Sequence, residues 1–190
     1  MKKNFFSLQS TLVVACFTML SMNSCMKLTK GIQYDLNMQT ASMDLVIPPY
    51  TDTNISVTGS QTNYYNIDSF IKARTGGMMG LANITRAKLE SCVLVLNNST
   101  QAENFANFRS CIGTFYTNSN TTPYVVNIAS NPDVFADTLT LPVDTSADLT
   151  TYVNNGTQFT YSLGGRLRRA THDTLHCTAT FKFNLHVQGL

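Results

Sequence analysis

The sequence predicts an all-β fold: a single antiparallel β-sandwich of roughly eight strands with one or two short helices, preceded by a signal peptide. Three observations predict it. Apolar and polar residues alternate with a period of two along the C-terminal stretch. Asn, Gly, Pro, Ser and Asp recur between short apolar runs. Helical spacing is confined to two short pieces, so no alternation of strands and helices supports a parallel α/β sheet.

The last stretch is the clearest element. Leu175, Cys177, Ala179, Phe181, Phe183, Leu185 and Val187 share one parity, and Thr174, His176, Thr178, Thr180, Lys182, Asn184, His186 and Gln188 share the other. Successive strand side chains point to opposite faces, so this is one long strand with one face in a core and one in water. Shorter strands are expected over Met43–Ile47, which ends at Pro48-Pro49, and over Asn54–Thr58. Ala87–Leu96 alternates Ala87, Leu89, Val93 and Val95 against Lys88, Glu90 and Leu94, with a bulge expected at Ser91-Cys92. Cys111–Tyr116, Tyr124–Ala129, Thr138–Leu141 and Gln158–Leu163 complete the set. Turns fall at Asn118–Pro123, Asn131-Pro132-Asp133 and Asn154-Asn155-Gly156. Asn66–Ile71 begins with a capping residue and spaces its apolar side chains helically. Asp148–Val153 fits one further helical turn.

The N-terminus reads as an export signal. Lys2-Lys3 is a basic start, Leu12–Leu20 is a short apolar run, and Ser21-Met22-Asn23-Ser24 is small and polar. The run is about half the ~20 apolar residues of a spanning helix. Ser24-Cys25 closes the segment and resembles the lipobox of bacterial lipoproteins, in the loose form found in Bacteroidota. Met22 and Asn23 depart from that family's usual Leu and small residue. The resemblance implies cleavage before Cys25 and diacylglycerol on its thiol. Each buried CH₂ contributes ~0.8 kcal/mol, so two or more chains anchor stably. The expected organisation is a signal peptide over 1–24, a lipidated tether over 25–37 and the sandwich over 38–190. No acidic run follows Cys25, where Met26-Lys27-Leu28-Thr29-Lys30 stands. By the same resemblance this points to an outer-membrane lipoprotein facing the periplasm rather than the outside. The strand pattern is similar to the small Ig-like sandwiches of Bacteroidota envelope lipoproteins.

Composition narrows the function. The chain has 13 Lys and Arg against 11 Asp and Glu, and Lys2 and Lys3 leave with the signal peptide. The remainder is neutral and lacks the clustered positive charge that nucleic acid requires. Only 13% of residues are charged, so hydroxyls and amides solvate the surface. No Trp is present, which removes the commonest sugar-stacking platform.

Cysteine usage leaves alternatives open. With Cys16 in the signal and Cys25 lipidated, Cys92, Cys111 and Cys177 remain. Cys92 and Cys111 flank the polar segment 97–107, a spacing that would let them pair as a disulfide across neighbouring strands in an oxidising compartment. The alternative is three small buried hydrophobes.

No catalytic constellation stands out, and no cofactor or metal site is expected. His172 and His176 share a strand face ~13 Å apart, too far for one zinc with ~2.0 Å bonds. Asp133, Asp137, Asp144 and Asp148 fit turn and cap positions. Gly76–Gly80 lacks the Lys-Ser/Thr of a phosphate loop and reads as a mobile loop. Arg166-Leu167-Arg168-Arg169 reads as a solvated hairpin tip. Tyr64, Tyr65, Tyr116, Tyr124 and Tyr152 would line a sugar site only if gathered on one face. The expected function is therefore a non-catalytic binding, adhesion or scaffold module. Its expected partners are the membrane, through lipid on Cys25, and an envelope protein or a glycan. The alternatives are a glycan-binding accessory lipoprotein and a pilus-type subunit that exchanges Leu175–Val187.

Overall fold

A computed structural model of the protein describes residues 31–40, 42–54, 56–154 and 156–189. The signal segment and Cys25 lie outside the described residues. The strands are β1 (Gln33–Gln39), β2 (Met43–Ile47), β3 (Ser56–Tyr64), β4 (Ile84–Leu96), β5 (Phe108–Thr117), β6 (Tyr124–Ile128), β7 (Thr138–Leu141), β8 (Gln158–Leu167) and β9 (Leu175–Gln188). Helices α1 (Ile67–Arg74) and α2 (Thr150–Val153) and two 3₁₀ turns join them. No helix among the described residues is long and apolar enough to cross a membrane.

Two antiparallel sheets face each other. The first runs β1-β9-β4-β7, with β2 also on β9; the second runs β3-β8-β5-β6. β1 pairs with the C-terminal half of β9 and β2 with the N-terminal half. Together they are one edge strand broken around Thr40, which donates its N–H to Phe181 O at 2.9 Å and keeps the ladder continuous. With that edge counted once, each sheet has four strands in the order of a double Greek key, a jelly roll. The antiparallel sandwich is as expected. The Ig-like likeness is corrected, because immunoglobulin domains join strands in another order.

β9 explains the stability of the first sheet. Leu175, Cys177, Ala179, Phe181, Phe183, Leu185 and Val187 are all buried, as their parity requires. Phe115 of the second sheet meets them, its ring centroid 5.7 Å from Phe183 and 6.4 Å from Phe181. Tyr124, Tyr152 and Tyr161 pack on other sides of Phe115. Helix α1 begins where expected: Asn66 Oδ1 accepts from Ser69 N at 2.9 Å. Gly76 and Gly77 take positive φ beyond its end (62° and 80°), and Gly77 N donates to Lys72 O. That is the left-handed exit at which a side chain is penalised.

Three expectations are corrected. The tether does not extend to residue 37: β1 begins at Gln33, and Leu36 and Met38 enter the core. In β4 the register shifts between Leu89 and Ser91, so the inward parity changes there. Cys92, Leu94 and Leu96 are buried, while Val95 faces out. Cys92 and Cys111 are not on neighbouring strands: they lie on β4 and β5, in opposite sheets. All three described thiols are free and buried.

Candidate binding face

The two outer faces of the sandwich differ in chemistry. The first sheet turns mixed charge outward, with Asp35, Asp44, Lys88, Glu90, His176, Lys182 and His186. His186 Nδ1 lies 2.9 Å from Asp35 Oδ1. The second sheet has no acidic residue in any of its four strands. Register aligns its outward side chains in rows. Ser56, Arg166 and Ser110 form one row across β3, β8 and β5. Ile112 and Asn127 lie in the next, Ser60, Ser162, Thr114 and Val125 in the third, and Thr62, Thr160 and Tyr116 in the fourth. Tyr64 and Gln158 end the face. Thr62 and Thr160 hydroxyls lie 2.8 Å apart.

A bulge breaks this hydroxyl surface at one corner. The β5–β8 register shifts between Phe108 and Ser110. Phe108 and Cys111 are buried, so both residues between them, Arg109 and Ser110, turn outward. This sets the Arg109 guanidinium on the side where Arg166 already stands. The two arginines line one hollow of about 380 Å³ with Ser110, Ile112, Asn127 and Ala129. A contiguous hollow of about 330 Å³ continues over Ser56, Thr114, Ser162 and Gly164. Neither arginine forms an ion pair among the described residues. The bulge also explains Gly165: a Cβ there would fall inside van der Waals contact of the Ser110 carbonyl oxygen.

The basic cluster read from the sequence therefore divides, and it is not a hairpin tip. Leu167 is buried at the end of β8. Arg168 donates to Ala106 O at 2.8 Å and Asn131 O at 2.6 Å, tying two loops together. Arg169 pairs with Asp133 at 2.6 Å. Only Arg166 reaches the open face.

Other sequence candidates sit apart from this face. His176 is exposed on the outer side of the first sheet, as its parity predicts. His172 lies in the β8–β9 loop, where its N–H and that of Asp173 donate to the buried Glu103 carboxylate. Asp144 accepts from Ser146 and Asp148 from Thr150, which are the turn roles expected of them. Among the described residues no group of three or more His, Cys, Asp and Glu is placed to hold a metal ion. Tyr124 and Tyr152 pack around Phe115, and Tyr65 packs against Phe70. Tyr64 and Tyr116 alone of the five share the outer face of the second sheet. Of the glycine-rich loop, Met79 is buried and Met78 is exposed. Near it a hollow of about 540 Å³ is lined by Asp68, Lys72, Gly80, Leu81, Ala82 and Asn154. Its charges satisfy each other: Lys72 Nζ is 2.6 Å from Asp68 Oδ2, and Asp68 Oδ1 accepts from Leu81 N.

No protein-family model matches the chain, and no curated protein does. Several of the solved structures it resembles come from viruses. With Desmodium yellow mottle tymovirus it shares 12% identity over 84% of this chain and 82% of that one, at a TM-score of 0.30. With a virus-like particle of the giant freshwater prawn Macrobrachium rosenbergii nodavirus the values are 11%, 84%, 96% and 0.33. With the 60-mer BFDV capsid protein they are 6%, 85%, 95% and 0.36. The jelly-roll assignment rests on the strand order of this chain.

Proposed function

We propose that the protein is a lipid-anchored envelope protein whose jelly roll serves as a non-catalytic binding module. The observation that carries this reading is the contrast between its two outer faces. A solvated sheet face ordinarily mixes charges of both signs, as the first sheet does. The second presents hydroxyls, amides, two tyrosines and two exposed aliphatic side chains, Ile112 and Val125, with a single basic corner, an arrangement suited to holding a partner rather than to proton transfer. The anchor is read from Ser24-Cys25. The start of β1 and the end of β9 lie at one end of the sandwich (Gln33 pairs with Gln188), so a lipid at Cys25 leaves the second sheet's face free. The five tyrosines are not gathered on one face, so the glycan-binding form of this reading rests on the rows of Ser and Thr hydroxyls and the Asn127 amide, with Tyr64 and Tyr116 beside them. The pilus-type reading is not favoured, because β9 is bonded on both sides at the centre of its sheet.

Mass spectrometry of the mature N-terminus in wild type and Cys25→Ala tests the anchor. A diacylglyceryl mass on Cys25, lost in the variant, is expected. An unmodified Cys25 in membrane fractions would overturn it. Cross-linking and pull-down from detergent-solubilised membranes test the module, with recovery of an envelope protein or polysaccharide expected. Hydrolytic activity on a glycan panel with no partner recovered would sink it.

A further inference from the structure

We infer that the basic corner of the second sheet is an acidic-saccharide subsite. In it Arg109 and Arg166 hold the carboxylate of a uronic acid residue, and the rest of the sugar chain lies on the hydroxyl rows beyond. The inference deepens the binding-module reading and rests on it.

Four observations carry it. First, the two arginines come from strand positions far apart in sequence and are brought together by register and a bulge. Bulges serve to re-aim side chains and mark functional sites. Second, like charges brought together across a strand pair destabilise it, and no carboxylate among the described residues relieves this one. An arriving anion would. Third, guanidinium groups present forked donors that match a carboxylate or another oxyanion bidentately. The Ser110 hydroxyl and the Asn127 amide line the same hollow and add neutral donors. Fourth, the floor is open. Gly164 raises no side chain between Arg166 and the Ser162 and Thr114 hydroxyls.

The chemistry of the surroundings selects the class of anion. A polyanion such as nucleic acid would need charge along the whole face, whereas here charge stops at one corner. A lipid headgroup would need a continuous apolar rim for its chains, and the two exposed aliphatic side chains of this face, Ile112 and Val125, stand singly among Ser, Thr, Asn and Gln. A short uronic-acid chain matches a basic corner followed by hydrogen-bonding rows and two tyrosine rings: one carboxylate enters the guanidinium fork, and the other residues lay their hydroxyls on the rows while their carboxylates stay in solvent.

The test is calorimetric titration of the purified, processed full chain with trigalacturonate, with neutral galactotriose and inorganic phosphate as separate arms. Trigalacturonate is expected to bind, with affinity that falls as salt rises. Arg109→Gln and Arg166→Gln should each weaken it about tenfold, as loss of one charge-assisted contact implies. Both side chains are exposed and removing either charge relieves the repulsion, so the variants should melt no lower than wild type, which verifies that they fold. Equal binding of galactotriose, binding of phosphate without trigalacturonate, or wild-type affinity in the double variant would each overturn the assignment. Absence of trigalacturonate binding with an envelope partner still recovered would overturn the saccharide subsite and leave the binding module standing.

Discussion

Gly165→Ala is the most direct probe of the geometry that builds the basic corner. Gly165 is buried in β8, and its backbone lies against the bulge of β5. A Cβ at this position would overlap the Ser110 carbonyl oxygen, and it would sit 3.3 Å from the carbonyl carbon and 3.5 Å from Cys111 Cα. All three atoms are backbone, so no side chain can swing aside. The strands must part locally. Overpacking of this kind costs about 1–3 kcal/mol, and a weakened ladder hydrogen bond adds about 1 kcal/mol. The alanine recovers about 0.4–1 kcal/mol by restricting the unfolded chain. The net loss is about 1–3.5 kcal/mol. For a domain of this size each kcal/mol moves Tm by about 2–4 °C, so Tm should fall by about 2–14 °C. Circular dichroism melts of wild type, Gly165→Ala and Arg166→Gln measure it. Arg166→Gln is the control, because an exposed substitution stays within about 0.5 kcal/mol. A Gly165→Ala protein that melts with wild type would refute the close approach, and with it the account of how Arg109 is turned outward.

Two further predictions concern the thiols and the carboxylates. Burial pushes the thiols of Cys92, Cys111 and Cys177 up to about 12, so thiolate is scarce at neutral pH. Thiol reagents at pH 8 should leave all three unlabelled until denaturant is added, and a non-reducing peptide map should contain no Cys92–Cys111 linkage; rapid native labelling or that linkage would refute the placement. Asp133 is held below the ordinary carboxylate range by the Arg169 hydrogen bond, and Asp144 and Asp148 by Ser146 and Thr150. A depressed folded pKa contributes stability above the unfolded value, near 3.8, that is lost as pH falls through the folded one. Melting temperature should therefore be level above pH ~5 and decline below ~4, with a shallower decline in Asp133→Asn; an unchanged acid profile in that variant would contradict the ion pair.

How much of this was legible in the sequence depends on the range of the interaction. β9, β2, β7 and the Asn66 cap were readable because parity and capping are local. The β4 bulge was expected one position late, and this reversed the inward assignment of Val93 and Val95. β1 was missed although Gly31, at positive φ, marks a turn before it and Tyr34, Leu36 and Met38 alternate with Gln33, Asp35, Asn37 and Gln39. Strand order was illegible: whether β4 lies beside β9 or beside β5 is a pairing across many residues, and both orders fit the same alternation. The expectation that Cys92 and Cys111 sit on neighbouring strands failed for that reason. The basic corner was half visible. Two outward residues between buried Phe108 and Cys111, and Gly164-Gly165 inside a strand, are the local marks of a bulge and a close backbone approach.

The same distinction bears on how this surface is to be interpreted. Summed over the chain, basic and acidic residues nearly balance, and neutrality alone argues only against polyanionic partners. Placed on the jelly roll, the balance separates: the charges of both signs gather on one sheet and the loops, and the other sheet keeps two arginines and no acid. Solubility is served by the first arrangement alone. The second leaves a guanidinium pair unneutralised beside polar rows, where Glu or Asp at Ser110 or Asn127 would relieve it at no cost in packing. A Ser110→Asp variant supplies that internal acid. It should raise Tm slightly by relieving the repulsion, and it should abolish trigalacturonate binding by occupying the fork. A variant that gains stability and still binds would separate the charge pair from the ligand and remove the reason for retaining it.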